Sequence, residues 1–271
     1  MDMTGTRQGR EGQQTRPGPG EGTRHPRAPR RLARHIATVY AALFFGIGVS
    51  LPFLPVWLHA KGLDARLIGI ALALQSLMRV LVAPAVSHIA DRLGRLRPVM
   101  AAAAAITLAA LAWLAGLAVT PAALLVGVAV AYGAFAPLMP LSDAYAVSAT
   151  RRLGLDYGRM RLWGSLAFIA GATVAGLVQD VLAARHLIWL IVIAHALLLL
   201  AVLRLPPRGE EGGTEERSGG GEGDGGLALL SPPFALFVIV AGLVQASHAF
   251  VYGFSALHWK NALGHGGTTV G

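Results

Sequence analysis

Seven apolar runs dominate the chain, each near the roughly 20 residues that a helix needs to cross hydrocarbon. They cover residues 36–58, 66–90, 98–119, 121–148, 160–182, 186–205 and 233–258. A bilayer core offers no water to backbone N–H and C=O groups, so such runs satisfy themselves as helices. Only 14% of the residues are charged, against roughly 25% in a soluble domain. The sequence therefore predicts an all-α integral membrane protein rather than a soluble enzyme.

The polar segments divide the chain. Residues 1–35 are rich in Gly, Pro and Arg without apolar periodicity, and are expected to form a disordered, Arg-rich tail. Arg30-Arg31 before an apolar stretch suggests a twin-arginine signal, but the run that follows is too long and lacks a small-residue cleavage site. Six runs then form a bundle over 36–205, a Gly/Glu/Arg linker occupies 206–232, and the last run lies within 233–271. Six runs, a long linker and one more make an unbalanced layout. The simplest expectation is a chain truncated after the first helix of a second six.

Net charge is +9, and of the 23 cations only Lys61 and Lys260 are Lys. In a soluble protein this excess would point to nucleic acid. Here the cations flank apolar runs, so nucleic acid is not an expected partner and the charge is read as topology. Alternate segments starting with the N-terminal tail hold 18 cations, the other segments hold Lys61, Arg66, Arg185 and Lys260, and Arg79 is inside a run. That bias predicts a cytoplasmic N-terminus in a cell membrane, and disfavours a seven-helix receptor with its N-terminus outside.

The second loop reads Ser87-His-Ile-Ala-Asp91-Arg92-Leu-Gly94-Arg95-Leu-Arg97. Gly94 permits a tight turn, and Asp91 can meet the cations or the positive end of a neighbouring helix. Together with the six-plus-linker layout, this resembles the loop signature of the major facilitator superfamily, with Ser87 where that family usually has Gly. Pro52-Phe-Leu-Pro55-Val-Trp57-Leu-His59 and Tyr157-Gly158-Arg159-Met-Arg161-Leu-Trp163-Gly164-Ser165 look like the branch containing lactose permease, nucleoside–proton symporters and 3-phenylpropionic acid transporters. Gln245-Ala-Ser-His248-Ala-Phe-Val-Tyr252-Gly-Phe254 looks most like the phenylpropionic acid members. The resemblance spans about residues 36–271. It implies a major facilitator-type six-helix N-terminal bundle of two inverted three-helix repeats, plus the first helix of a C-terminal bundle.

Ionisable groups inside lipid are costly and mark function by default. Asp143 is the only acid well within an apolar run, and helical spacing puts Tyr132, Ala136, Met139 and Asp143 on one face. Pro137 and Pro140 are expected to kink that helix. Arg161, eighteen residues on, is the expected partner of Asp143, with Arg79 the rival. The alternative is that Asp143 merely anchors its helix at the interface. In the lactose-permease branch an acid and an Arg at this spacing contribute to substrate binding, which implies such a role for Asp143 and Arg161.

Arg79, near the middle of the second run, is expected to face the protein interior, on a carboxylate, a carbonyl or an anionic substrate. Gln245, His248 and Tyr252 share a helical face, and His248 can carry a proton near neutral pH. Trp163 can stack on a flat substrate ring or serve as an interfacial anchor. Gly46, Gly48, Gly164, Gly171 and Ala175 are read as packing positions that let helices approach closely.

Cysteine is absent, no His/Asp/Glu cluster has metal spacing, and neither a phosphate loop nor a nucleophile elbow occurs. No metal or cofactor is expected, and an enzyme is disfavoured. The expected function is alternating-access symport of protons with a small organic solute, by a protein that is monomeric at full length. The resemblance makes an aromatic carboxylic acid such as 3-phenylpropionate the leading substrate. A nucleoside, sugar or drug transporter, or an inactive fragment, are the alternatives.

Overall fold

The computed structural model describes residues 27–206 without a gap and scattered positions from Pro232 to Thr269. The helices are α1 (Arg27–Ala60), α2 (Ala65–Leu93), α3 (Leu96–Gly116), α4 (Pro121–Phe135), α5 (Leu138–Leu153), α6 (Tyr157–Val181) and α7 (Leu187–Leu203). Among the described residues six stretches are long and apolar enough to cross a membrane, with α4 and α5 together forming the fourth. Within the seventh apolar run, positions 239–244 are helical.

Local chemistry sets the ends. Asp64 caps α2 by accepting from the Leu67 N–H at 2.8 Å, and Asp156 caps α6 by accepting from the Arg159 N–H at 3.1 Å. Thr120 does the same for α4, with Pro121 in the first turn where its missing N–H costs nothing. Gly94 closes α2 with φ +62°, the left-handed conformation expected of that turn.

Two boundaries differ from expectation. Helix α1 begins at Arg27, inside the segment read as a disordered tail. Arg, Leu and Ala are strong helix formers, and Pro29 falls in the first turn, where it is tolerated. The fourth apolar run is two helices, because Pro137 lacks the N–H that would bond the Gly133 carbonyl.

The packing has an internal symmetry. Helix α1 lies against α6 and α7, the α4 segment lies against α2 and α3, and α3 meets α7. Exchanging α1–α2–α3 with α4/α5–α6–α7 maps this adjacency onto itself, the pattern of two three-helix repeats. The α1–α6 contact is the closest. A Cβ at Gly171 would meet the Phe45 carbonyl oxygen at 2.5 Å, and one at Gly48 would collide with the Phe168 carbonyl. Small residues there let the two backbones touch. Along α1, Tyr40, Leu43, Phe53 and Trp57 are fully buried. Trp57 donates its indole N–H to the Arg185 carbonyl at 3.2 Å, tying the end of α1 to the turn before α7.

Candidate functional site

Asp143 lies on α5, half-buried. Its Oδ1 accepts from the Tyr40 hydroxyl at 2.6 Å and from the Tyr157 hydroxyl at 3.1 Å. The two tyrosine rings meet edge to face, 6.3 Å between centroids at 88°, so both hydroxyls converge on one oxygen. Tyr40 comes from α1 and Tyr157 opens α6, which makes the carboxylate a junction of three spans.

Arg161 stands one turn beyond Tyr157 on α6. Its guanidinium lies 4.1 Å over the Phe44 ring and 5.3 Å over the Tyr40 ring, both within cation–π range. Phe44 and Tyr40 are one turn apart on α1 and so present a two-ring platform. Gly164 makes room for it, since a Cβ there would meet Phe44 at 2.9 Å and the Arg161 guanidinium at 3.4 Å.

The expected Asp143–Arg161 pair is therefore not formed directly. Asp143 is occupied by hydroxyls, and Arg161 rests on aromatic faces, with Tyr40 touching both. Among the described residues no acceptor reaches the guanidinium.

The other sequence candidates lie apart. Arg79 is exposed on α2 among the described residues. Helix α2 uses its Met78 side to pack on Gly133, and the next residue points about 100° away. Tyr132 is buried, edge to face on Phe135 at 6.3 Å, with its hydroxyl unpartnered among the described residues. Eleven residues put it about 16 Å from Asp143 along the run, which Pro137 divides into α4 and α5. Trp163 is 57% exposed and lies about 200° around α6 from Arg161, on the far side of the helix. Gln245, His248 and Tyr252 lie outside the described residues.

In the loop motif Asp91, Arg92 and Arg95 are exposed, and the Gly94 N–H bonds the Asp91 carbonyl at 3.3 Å. Arg97 reaches a helix end, its Nη2 donating to the Leu203 carbonyl at the end of α7 at 2.7 Å.

Sequence reasoning missed Tyr40 and Phe44, and it quoted Tyr157 only as part of a motif. The available signal was a Tyr and a Phe four residues apart in the first run. It also passed over His195, which is buried, bonds the Ile191 carbonyl through Nδ1 at 2.8 Å, and packs 5.2 Å from Phe135.

Six apolar spans in this adjacency, with a polar junction joining the first, fourth and fifth, define a multi-pass membrane protein of the major facilitator type. The profile of the MFS_1 like family matches residues 34–271, and the chain belongs to that family. It is 34% identical over 243 residues to the "Probable 3-phenylpropionic acid transporter" of Escherichia coli (strain K12), covering 88% of this chain and 62% of that protein. It is 28% identical to the maltose permease of Geobacillus stearothermophilus, over 76% of this chain and 51% of that one. The nucleoside transporter NupG superposes with a TM-score of 0.68 at 19% identity, covering 83% of this chain and 56% of NupG, a likeness of fold. The chain spans 62% and 51% of the length of these two curated relatives.

Proposed function

We propose that the protein of which these spans are part is a proton-coupled symporter of a small aromatic carboxylate, with 3-phenylpropionate as the leading substrate. The observation that carries this reading is Arg161, whose guanidinium lies over Phe44 and Tyr40 with no carboxylate among the described residues on its donors. A guanidinium in that state takes a substrate carboxylate as a bidentate pair. The rings around it offer an edge or face to a substrate ring. Similarity to the phenylpropionic acid transporter supports the same class.

Asp143 is the proposed proton carrier. As a carboxylate it accepts both tyrosine hydroxyls. Once protonated it becomes a donor and a weaker acceptor, which weakens its hold on the tyrosines, loosens the junction of α1, α5 and α6 and so couples proton uptake to helix movement. Arg79 is the second proposed substrate contact. An exposed Arg in mid-span costs several kcal/mol unless water or a partner meets it, so its face is read as the wall of a watered cavity. Trp163, Tyr132, Gln245 and Tyr252 remain proposed substrate contacts and His248 a proposed proton site. The N-terminus is assigned to the cytoplasm from the 18-to-4 cation bias.

The test is uptake of labelled 3-phenylpropionate into proteoliposomes under an imposed proton gradient, with uridine and maltose as competitors. Uptake that follows the gradient and falls in Arg161→Gln is the expected result. Gradient-independent uptake sinks the symport reading, and inhibition by uridine or maltose alone would sink the acid assignment in favour of a nucleoside or sugar.

A further inference from the structure

His195 stands at the midpoint of the 17-residue helix α7, with about 12 Å of helix on either side of it. It is 1% exposed, and Tyr132 and Ser50 are equally enclosed at 5% and 4%. Gly46 on α1 gives the imidazole room, since a Cβ there would lie 3.4 Å from it. On α4 the Phe135 ring stands between the two larger side chains, 5.2 Å from His195 and 6.3 Å from Tyr132 between centroids. Ser50, one turn after Gly46, donates to the Gly46 carbonyl and lies beside the Tyr132 hydroxyl. These side chains converge from α1, α4 and α7, so the cluster joins the two three-helix repeats in mid-span.

Two polar atoms of the cluster have no hydrogen-bond partner among the described residues: His195 Nε2 and the Tyr132 hydroxyl. Their chemistry is complementary. His195 Nδ1 lies 2.8 Å from the Ile191 carbonyl, which can only accept, so the ring proton is on Nδ1. Gly46, Phe135 and Ile191, which meet the ring, carry no charge, and nothing in that contact set compensates an imidazolium in an apolar interior. In the neutral ring Nε2 is a bare acceptor, whereas the tyrosine hydroxyl can donate and accept. Since each is unpartnered, the two do not bond each other directly.

Leaving such a donor and acceptor buried and unsatisfied is costly, and internal waters typically make about three hydrogen bonds to groups of this kind. We propose that one water molecule is bound here, donating to His195 Nε2 and Ser50 Oγ and accepting from the Tyr132 hydroxyl. A small neutral molecule that both donates and accepts suits an enclosed site of this composition, where an ion would leave its charge uncompensated. The water ties α1 to α4 and α7, and through them one repeat to the other. It is bound without substrate, and a substrate that reached Tyr132 would have to displace it.

A double-mutant cycle on the full chain tests this, read as unfolding temperature in detergent. Were the Tyr132 hydroxyl an orphan, Tyr132→Phe would raise that temperature or leave it unchanged, because the change deletes an unsatisfied polar group. With the water in place, Tyr132→Phe lowers it by about 2–4 °C. His195→Leu lowers it as well, and the double variant loses less than the sum of the two, because either change alone already weakens the shared water. Additive losses, or no loss in Tyr132→Phe, overturn the proposal. If His195→Leu does not fold, a crystal structure of the unaltered protein at a resolution that shows ordered water decides the matter. A water peak within hydrogen-bond distance of both Nε2 and the Tyr132 hydroxyl is expected. An empty gap, or another protein side chain in that place, overturns it.

Discussion

The Tyr40 hydroxyl donates a 2.6 Å hydrogen bond to Asp143, joining α1 to α5 across 103 residues of sequence. The same tyrosine ring carries the Arg161 guanidinium at 5.3 Å. Tyr40 thus contacts an acid and a base at once, bonded to the carboxylate through its hydroxyl and lying beneath the guanidinium with its ring.

Tyr40→Phe deletes the hydroxyl and keeps the ring beneath Arg161. A hydrogen bond to a carboxylate is worth about 1.5–3 kcal/mol, so thermal unfolding in detergent should occur at a lower temperature. Tyr157→Phe, which removes the longer bond, should shift it less. Equal shifts, or none, would show that the junction does not hold the three spans together.

Arg161→Lys keeps the charge and discards the planar fork. Affinity for 3-phenylpropionate, read by quenching of tryptophan fluorescence, should fall about tenfold or more. Lysine performing as well as arginine would mean that the anion is held by charge alone or elsewhere.

Gly171→Ala places a methyl group 2.5 Å from the Phe45 carbonyl oxygen. Forcing α1 and α6 apart should cost about 1–3 kcal/mol. Gly116→Ala at the end of α3 meets nothing within 4 Å and should leave unfolding unchanged. If the two behave alike, close helix approach is not what stabilises this pair.

Arg97→Met removes the 2.7 Å bond to the Leu203 carbonyl while keeping most of the side chain's length. Loss of a cation from a helix C-terminus should cost about 0.3–2 kcal/mol. Amide hydrogen exchange at the last turn of α7 is the sensitive readout, and unaltered protection there would reject the cap.

Features that depend on near neighbours along the chain are legible in the amino-acid order itself. The spans follow from runs of apolar residues, the turn at Gly94 from its own backbone freedom, and the break at Pro137 from a missing N–H. Asp143 and Arg161 stand out because charge inside hydrocarbon is rare. Tyr132 and Asp143 belong to different helices, because Pro137 divides their run. The exposure of Arg79 is not legible in the residue order, because periodicity says which residues share a face but not which face meets another helix.

The amino-acid order alone determined a multi-pass helical membrane protein, the positions of its spans and the family it resembles. Hydrocarbon imposes those outcomes on each segment separately, through length, polarity and backbone self-satisfaction. Only the tertiary structure decided that Asp143 is bonded by Tyr40 and Tyr157, that Arg161 rests on Phe44 and Tyr40, and that His195 and Tyr132 are enclosed where α1, α4 and α7 meet. Those outcomes depend on how helices rotate and approach one another, which contacts between residues distant in sequence set and local pattern does not.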